Sequence, residues 1–374
     1  MPPLPVQIVS QSAQLDAAVQ GMAGSRAIAL DTESNSFHHY PEQLCLIQIA
    51  TRHEVYIIDT ISLKDLAPLK EVLADDSIEK VIHGADYDIR SLDRHCGFRI
   101  SNLYDTSIAA RFAGIAEFGL SALIRDLLGV TINKSKRLQR ADWGRRPLSE
   151  EALDYAAADV CYLFALRESL DQRLQALGRT AWVAEECRRL EEVRYNPPDL
   201  ESAYLSVKGA KDLDGRGLAV LKSLFLFREK EARRWRRPPF FVIPDTALFY
   251  LAASPTATLS EAPGLGQIGI QRFGRGLQQA LHDGQAAPPV HRPPLTGERV
   301  SQEQIQRLSR LKAWRASQGA ALSLDPSLLW PTSSLERLAR APDTIGVEIT
   351  SADIRRWQRD RFASSLRAYL ESLP

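Results

Sequence analysis

Residues 26–59 read RAIALDTESNSFHHYPEQLCLIQIATRHEVYIID. Three short apolar runs lie within them: 26–31 (RAIALD), 44–50 (LCLIQIA) and 55–59 (VYIID). Each is rich in branched side chains, the composition of a strand. A polar loop separates the first two and four residues separate the next pair, so two consecutive hairpin-like connections are expected. After residue 59 the pattern changes. Residues 66–73, 87–96, 107–112 and 121–128 carry helical periodicity, while 80–83 (KVIH) and 103–105 read as strands. Gly97, Gly114 and Gly129 stand where helix stops are expected. Ser149 suits the N-cap of a long helix reaching at least Leu170, with Glu150 and Glu151 complementing its dipole. A strand meander followed by alternating helix and strand predicts an α/β fold, a mixed sheet with helices on its faces. No GxGxxG follows a strand, so a dinucleotide-binding reading lacks its phosphate loop.

Residues 195–198 (YNPP) break this order. Beyond them, 217–235 is a long basic helix ended by Pro238 and Pro239. Ile243, Pro244 and Asp245 open another helix, and 262–266 (APGLG) turns into a third that runs through Leu281. Residues 286–294 (AAPPVHRPP) contain four prolines and read as a stiff linker. Helical stretches at 305–314, 334–339 and 352–370 then make a second all-helical unit whose order echoes the first. Three domains are expected: 1–196, 208–285 and 297–374.

The chain has 374 residues and a net charge of +1, but the charge is unevenly spread. Residues 1–200 hold 22 Lys+Arg against 29 Asp+Glu, and the remainder holds 25 against 17. An acidic half beside a basic half suggests one part that holds metal and another that holds polyanion. Cys45, Cys96, Cys161 and Cys187 form no CxxC pair, which argues against a disulfide scaffold or a zinc site and for a reducing cytoplasm. Neither a signal-peptide pattern nor an apolar run of about 20 residues is present, so no membrane role is expected and a cytoplasmic location is.

Four carboxylates carry the chemistry. Asp31 and Glu33 are two apart on an extended backbone and point to the same side. Asp88 opens a helix. Tyr155 and Asp159 are four apart and share a helix face. Acid-only clusters suit hard divalent cations such as Mg²⁺ or Mn²⁺. Phosphodiester hydrolysis is well served by two such ions roughly 4 Å apart, which stabilise charge on the attacking and leaving oxygens. A tyrosine with a reference pKa of about 10 is a poor general base at pH 7. Its hydroxyl can orient a water instead, the role expected of Tyr155.

These residues resemble a known family. Leu30-Asp31-Thr32-Glu33, then 83–89 (HGADYDI), then 155–159 (YAAAD) are similar to the three exonuclease motifs of the DEDD superfamily, and the YxxxD form resembles its tyrosine subclass. Tyr40-Pro41, residues 46–49 (LIQI), Asp142-Trp143 and Arg146-Pro147-Leu148 sharpen the likeness to the ribonuclease D family. Residues 208–281 resemble an HRDC domain, and the last segment resembles a second, divergent HRDC-like unit. The resemblance implies a ribonuclease H-like fold followed by two all-α helical domains. It also implies two divalent cations and 3′→5′ hydrolysis of RNA to nucleoside 5′-monophosphates, with tRNA precursors bearing 3′ extensions as the substrate. By position, Asp31, Glu33, Asp88 and Asp159 match the metal-binding acids and Tyr155 the water-positioning tyrosine. The first ion is expected among Asp31, Glu33 and Asp159, with Asp31 bridging to a second beside Asp88.

Other residues compete for roles. Asp86 is expected to be a solvated or helix-starting acid, His83 a structural histidine, and Asp105 a cap beside Thr106. Lys134, Lys136, Arg137 and Arg140 could meet the phosphates of an incoming strand. Phe37 or Tyr40 could stack on a terminal base. Arg228, Arg233, Arg234, Arg236 and Arg237, with Trp235, form either an RNA-backbone patch, led by Arg233 and Arg236, or a domain-docking surface. Two rival functions stay open: a 3′→5′ DNA exonuclease, and a non-catalytic nucleic-acid-binding protein working through its HRDC units.

Overall fold

Among the described residues the apolar runs and one further strand form a sheet of six strands, β1 (Val6–Val9), β2 (Ala27–Ser34), β3 (Leu44–Ala50), β4 (Val55–Asp59), β5 (Glu79–Ile82) and β6 (Leu103–Asp105). The computed structural model describes residues 4–132, 135–254, 256, 258–291 and 301–373. Strand order is β1-β4-β3-β2-β5-β6. As expected, β2, β3 and β4 are an antiparallel meander. The outer pairings β1–β4, β2–β5 and β5–β6 are parallel, so the sheet is mixed. Every residue of β3 and β4 is buried, which explains their unbroken apolar character: both faces are covered. β1 escaped the sequence reading because it is a four-residue edge strand with three exposed side chains and no alternation.

Among the described residues nine helices surround the sheet: α1 (Ser12–Met22), α2 (Pro68–Ala74), α3 (Asp86–Cys96), α4 (Thr106–Phe112), α5 (Leu120–Leu128), α6 (Lys136–Gln139), α7 (Glu150–Cys161), α8 (Leu163–Ala176) and α9 (Thr180–Glu191). The helix expected to run unbroken from Ser149 past Leu170 is two helices. α7 packs on β2, β3 and β4, whereas α8 packs on β5 and the helices α4 and α5. One straight rod cannot cover both sets of neighbours, and the chain turns at Tyr162, which ends one helix and starts the next.

Two helical segments follow. The first contains α10 (Leu200–Ala203), α11 (Gly215–Trp235), α12 (Pro239–Val242), α13 (Asp245–Ala253) and α14 (Gln267–Ala286). The second contains α15 (Gln302–Leu322), α16 (Pro326–Leu329), α17 (Thr332–Arg340), α18 (Ile345–Glu348) and α19 (Arg356–Glu371). Both contain, in the same order, a 21-residue helix, a four-residue helix opened by proline and a nine-residue helix. Their packing differs. Buried side chains of α11, α13 and α14 form a core of their own, while those of α15, α17 and α19 are continuous with the core of the sheet. Among the described residues no helix is long and apolar enough to cross a membrane. All four cysteines are free thiols.

Candidate active site

β2 supplies the first two acids. It continues past the apolar run to Ser34, so Asp31 and Glu33 lie within the strand, paired opposite Gln48 and Leu46 of β3. The register shifts between Glu33 and Ser34, a local irregularity of the kind that re-aims side chains beside active sites. α7 lies across β2–β4 and brings a third acid. Its Ser149 cap accepts from the Ala152 amide at 3.2 Å, as expected. One carboxylate oxygen from each of Asp31, Glu33 and Asp159 lies within 4.8 Å of the others. Three like charges at this spacing repel unless cations or protons compensate them.

The donor set fits a hard divalent cation, because it offers oxygen alone and neither nitrogen nor sulfur. Gln48, opposite Asp31 in the register and wholly buried, has neither amide atom hydrogen-bonded among the described residues. Buried amides in finished folds are normally satisfied, so the wall of this site keeps unused polar capacity.

Asp88 is not one of the close three. Thr32, alternating to the other side of β2 from Asp31 and Glu33, donates its hydroxyl to Asp88 Oδ1 at 2.5 Å. Burial pushes the Asp88 carboxyl up to about 7, against the pull of the Thr32 hydrogen bond and with the neighbouring charge of Asp105 adding to the rise. The turn that delivers Asp88 is held from below. Gly84 adopts φ 74, where a glycine is at ease. The buried Asp105 carboxylate accepts from the amides of Gly84 (3.0 Å), Ala85 (2.8 Å), Ser107 (2.7 Å) and Ile108 (3.2 Å). Asp105 therefore caps α4, as expected, and also secures the entry to α3. His83 bonds Thr106 at 2.9 Å, and Asp86 pairs with Arg90 on the exposed side of α3, matching the structural roles expected of both.

Tyr155 is buried beside the three acids. Its ring lies 5.9 Å from Trp143, and its hydroxyl is hydrogen-bonded with Gln139 of α6. Burial, followed by the charges of Asp159, Glu33 and Asp31, pushes the phenol far above its ordinary range, so it keeps its proton. Gln139 had no signal in the sequence, since it sits in a four-residue helix and meets Tyr155 only through the fold. The segment between them is clamped by Arg146, which donates to Asp59 (2.6 Å), Trp143 O (2.7 Å) and Cys45 O (3.1 Å). Burial alone would raise the Asp59 carboxyl, but the Arg146 bonds prevail and hold it below the usual range.

The RNA-contact expectations divide. Phe37 is 48% exposed with the Arg140 guanidinium 6.0 Å from its ring, and Lys136 is exposed. Arg137 is exposed and paired with Glu151, and Lys134 lies outside the described residues. Tyr40, expected to meet a base, instead joins the two cores. Its hydroxyl donates to Glu229 of α11, its ring lies under Arg233 at 5.4 Å, and its amide donates to Arg236 O at 3.3 Å. Arg228 turns inward to Asp245. Arg233 thus lies over the docking tyrosine, and its side chain, like that of Arg236, is exposed.

Residues 6–175 match a family model described as 3′-5′ exonuclease, and residues 217–281 match the HRDC domain. The chain is 31% identical over 369 residues to ribonuclease D of Granulibacter bethesdensis, covering 96% of this chain and 91% of that one. Against ribonuclease D of Desulfotalea psychrophila it is 33% identical over 337 residues, covering 88% and 90% respectively. The crystal structure of Escherichia coli RNase D, described as an exoribonuclease involved in structured RNA processing, superposes with a TM-score of 0.75 at 26% identity, covering 99% of this chain and 100% of that one.

Proposed function

The chain belongs to the ribonuclease D family, and from that membership we propose that it is a metal-dependent 3′→5′ exoribonuclease that trims 3′-extended tRNA precursors to nucleoside 5′-monophosphates. The observation that carries this reading is the meeting of Asp31, Glu33 and Asp159 within 4.8 Å of one another. Asp31, Glu33 and Asp159 would hold one divalent cation, and Asp88 with Asp31 a second. When bound, such ions supply charge stabilisation at the attacking and leaving oxygens of the phosphodiester.

The chain's own residues do the rest. Tyr155, fixed by Gln139 and Trp143, holds the attacking water through a hydrogen bond of its hydroxyl. Asp105 and Thr32 keep Asp88 from swinging away. Phe37 and Arg140, on facing loops beside the acids, receive the terminal nucleotide, while Lys136 and Arg236 draw in the backbone. Lys134, two residues before Lys136 in sequence, would add to that charge. Four free thiols suit a reducing cytoplasm.

Mass analysis of products from a 3′-extended tRNA precursor, with Mg²⁺ and with EDTA, tests the reading. Expected are nucleoside 5′-monophosphates removed stepwise from the 3′ end, and none in EDTA. Products carrying 3′-phosphates, release from the 5′ end, or release that continues in EDTA would overturn it. Faster degradation of a matched DNA strand would move the assignment to a DNA exonuclease.

A further inference from the structure

The last turn of α11 and the residues after it, 233–241, read RRWRRPPFF. Seven of these nine side chains are exposed: Arg233, Arg234, Trp235, Arg236, Arg237, Phe240 and Phe241. Phe240 is 49% and Phe241 61% exposed, with ring centroids 4.6 Å apart and planes tilted by 45°. The next two residues, Val242 and Ile243, are buried in the second core and anchor the pair from behind. Single exposed apolar residues are ordinary. Two adjacent phenylalanines facing water beside four arginines are not accounted for by packing.

Charge favours one class of occupant. Among the described residues Arg236 and Arg237 form no ion pair, and Arg234 reaches only Glu231 at 3.7 Å. A surface of guanidinium groups interleaved with open rings suits a single strand of nucleic acid, whose phosphates and base faces it matches. Position supports the same choice. Arg236 adopts φ 51, ψ 37 at the end of α11, a left-handed conformation usually left to glycine. Its carbonyl accepts from Tyr40, in the loop that leaves β2 seven residues after Glu33. The exposed run is thereby tied to the chain that emerges from the carboxylate cluster.

We propose that Phe240 and Phe241 form a stacking platform for an unpaired base of the RNA strand upstream of its reacting 3′ end, with Arg236 and Arg237 on the flanking phosphates. This rests on the exoribonuclease reading and adds to it a second foothold, outside the carboxylate cluster. A substrate long enough to reach the platform is held at both places, and a dinucleotide at the acids alone.

The test is the full-length Phe240→Ala/Phe241→Ala variant, compared with wild type and with Phe241→Trp. Fluorescence anisotropy in EDTA measures binding of a 5′-labelled single-stranded 20-mer RNA, and hydrolysis with Mg²⁺ is followed on the 20-mer and on a dinucleotide. Expected for the double alanine variant are a loss of about tenfold or more in 20-mer affinity, a matching rise in KM on the 20-mer, and unchanged dinucleotide hydrolysis. Phe241→Trp should keep or improve affinity, since it keeps an aromatic face. Wild-type 20-mer binding by the double variant would overturn the platform and leave the pair as a surface for a protein. Equal losses on 20-mer and dinucleotide would also overturn it, because the damage would then lie at the acids. A wild-type protein that binds the 20-mer through these rings but releases no nucleotide would sink the exoribonuclease reading alone.

Discussion

The Tyr155 hydroxyl is held between a side-chain amide and three carboxylates. A phenol so placed can orient a water, and burial together with the three carboxylates opposes the phenolate. Replacing Tyr155 by Phe should lower kcat by about 100-fold while leaving Mn²⁺ affinity unchanged by calorimetry. Full turnover in that variant would remove the orienting role. Asp31→Asn should differ in kind, losing cation affinity and turnover together. The spacing of Asp31 and Glu33, and of Tyr155 and Asp159, could be read from sequence because strand and helix periodicities are local. Gln139 could not, since nothing local relates a residue of α6 to a tyrosine on α7.

Among the elements, β5 carries an unusual burden: Lys80 is fully buried in it. Its Nζ donates to Asp75 O at 2.6 Å and Ile78 O at 2.7 Å, and no carboxylate is in ion-pair contact with it among the described residues. Burial pushes the ammonium down to about 8, although Asp75, Asp76 and Glu191 pull the other way. Between pH 8 and the unfolded value of about 10.4, the unfolded chain holds the proton and the native chain does not, so stability contributed at Lys80 rises with pH. Below pH 8 the full cost of a buried charge is present. Denaturant titration of wild type against Lys80→Met should show the difference moving in favour of wild type by about 1–2 kcal/mol between pH 7 and pH 9.5. A difference independent of pH would mean that the lysine is solvated in the native state. The strand itself was evident from KVIH, but its lysine gave no sign of being inside. Only the helices laid over β5 decide that.

At the scale of the molecule, the described residues build two cores from three stretches of sequence. The final helices share a core with the sheet through a dense seam. Trp357 of α19 stacks on Trp182 of α9 at 4.8 Å, Arg355 pairs with Glu186 at 3.0 Å, and Glu185 accepts from the amides of Arg356 (2.7 Å) and Trp357 (3.1 Å). Arg179 adds bonds to Phe112 O and Leu322 O. The middle helices meet the nuclease part chiefly around Tyr40. Scanning calorimetry should therefore resolve a transition for the sheet together with α15–α19 and another for the middle helices. Trp357→Ala should destabilise the former by about 3–5 kcal/mol and leave the latter in place. A shift confined to a third, separate transition would mean that the last helices fold on their own.

Alternation, helical spacing and caps determined the strand meander and most helices, because these depend on neighbours a few residues apart, while the motif resemblance singled out the acids. The tertiary structure alone decided that Thr32 takes hold of Asp88, that Gln139 reaches Tyr155, that the 149–170 helix divides, and that the last helices join the first core while Tyr40 docks the middle ones. Each of those outcomes is set by which surfaces of distant segments exclude water together, and burial of that kind is a property of the packed chain rather than of any window along it.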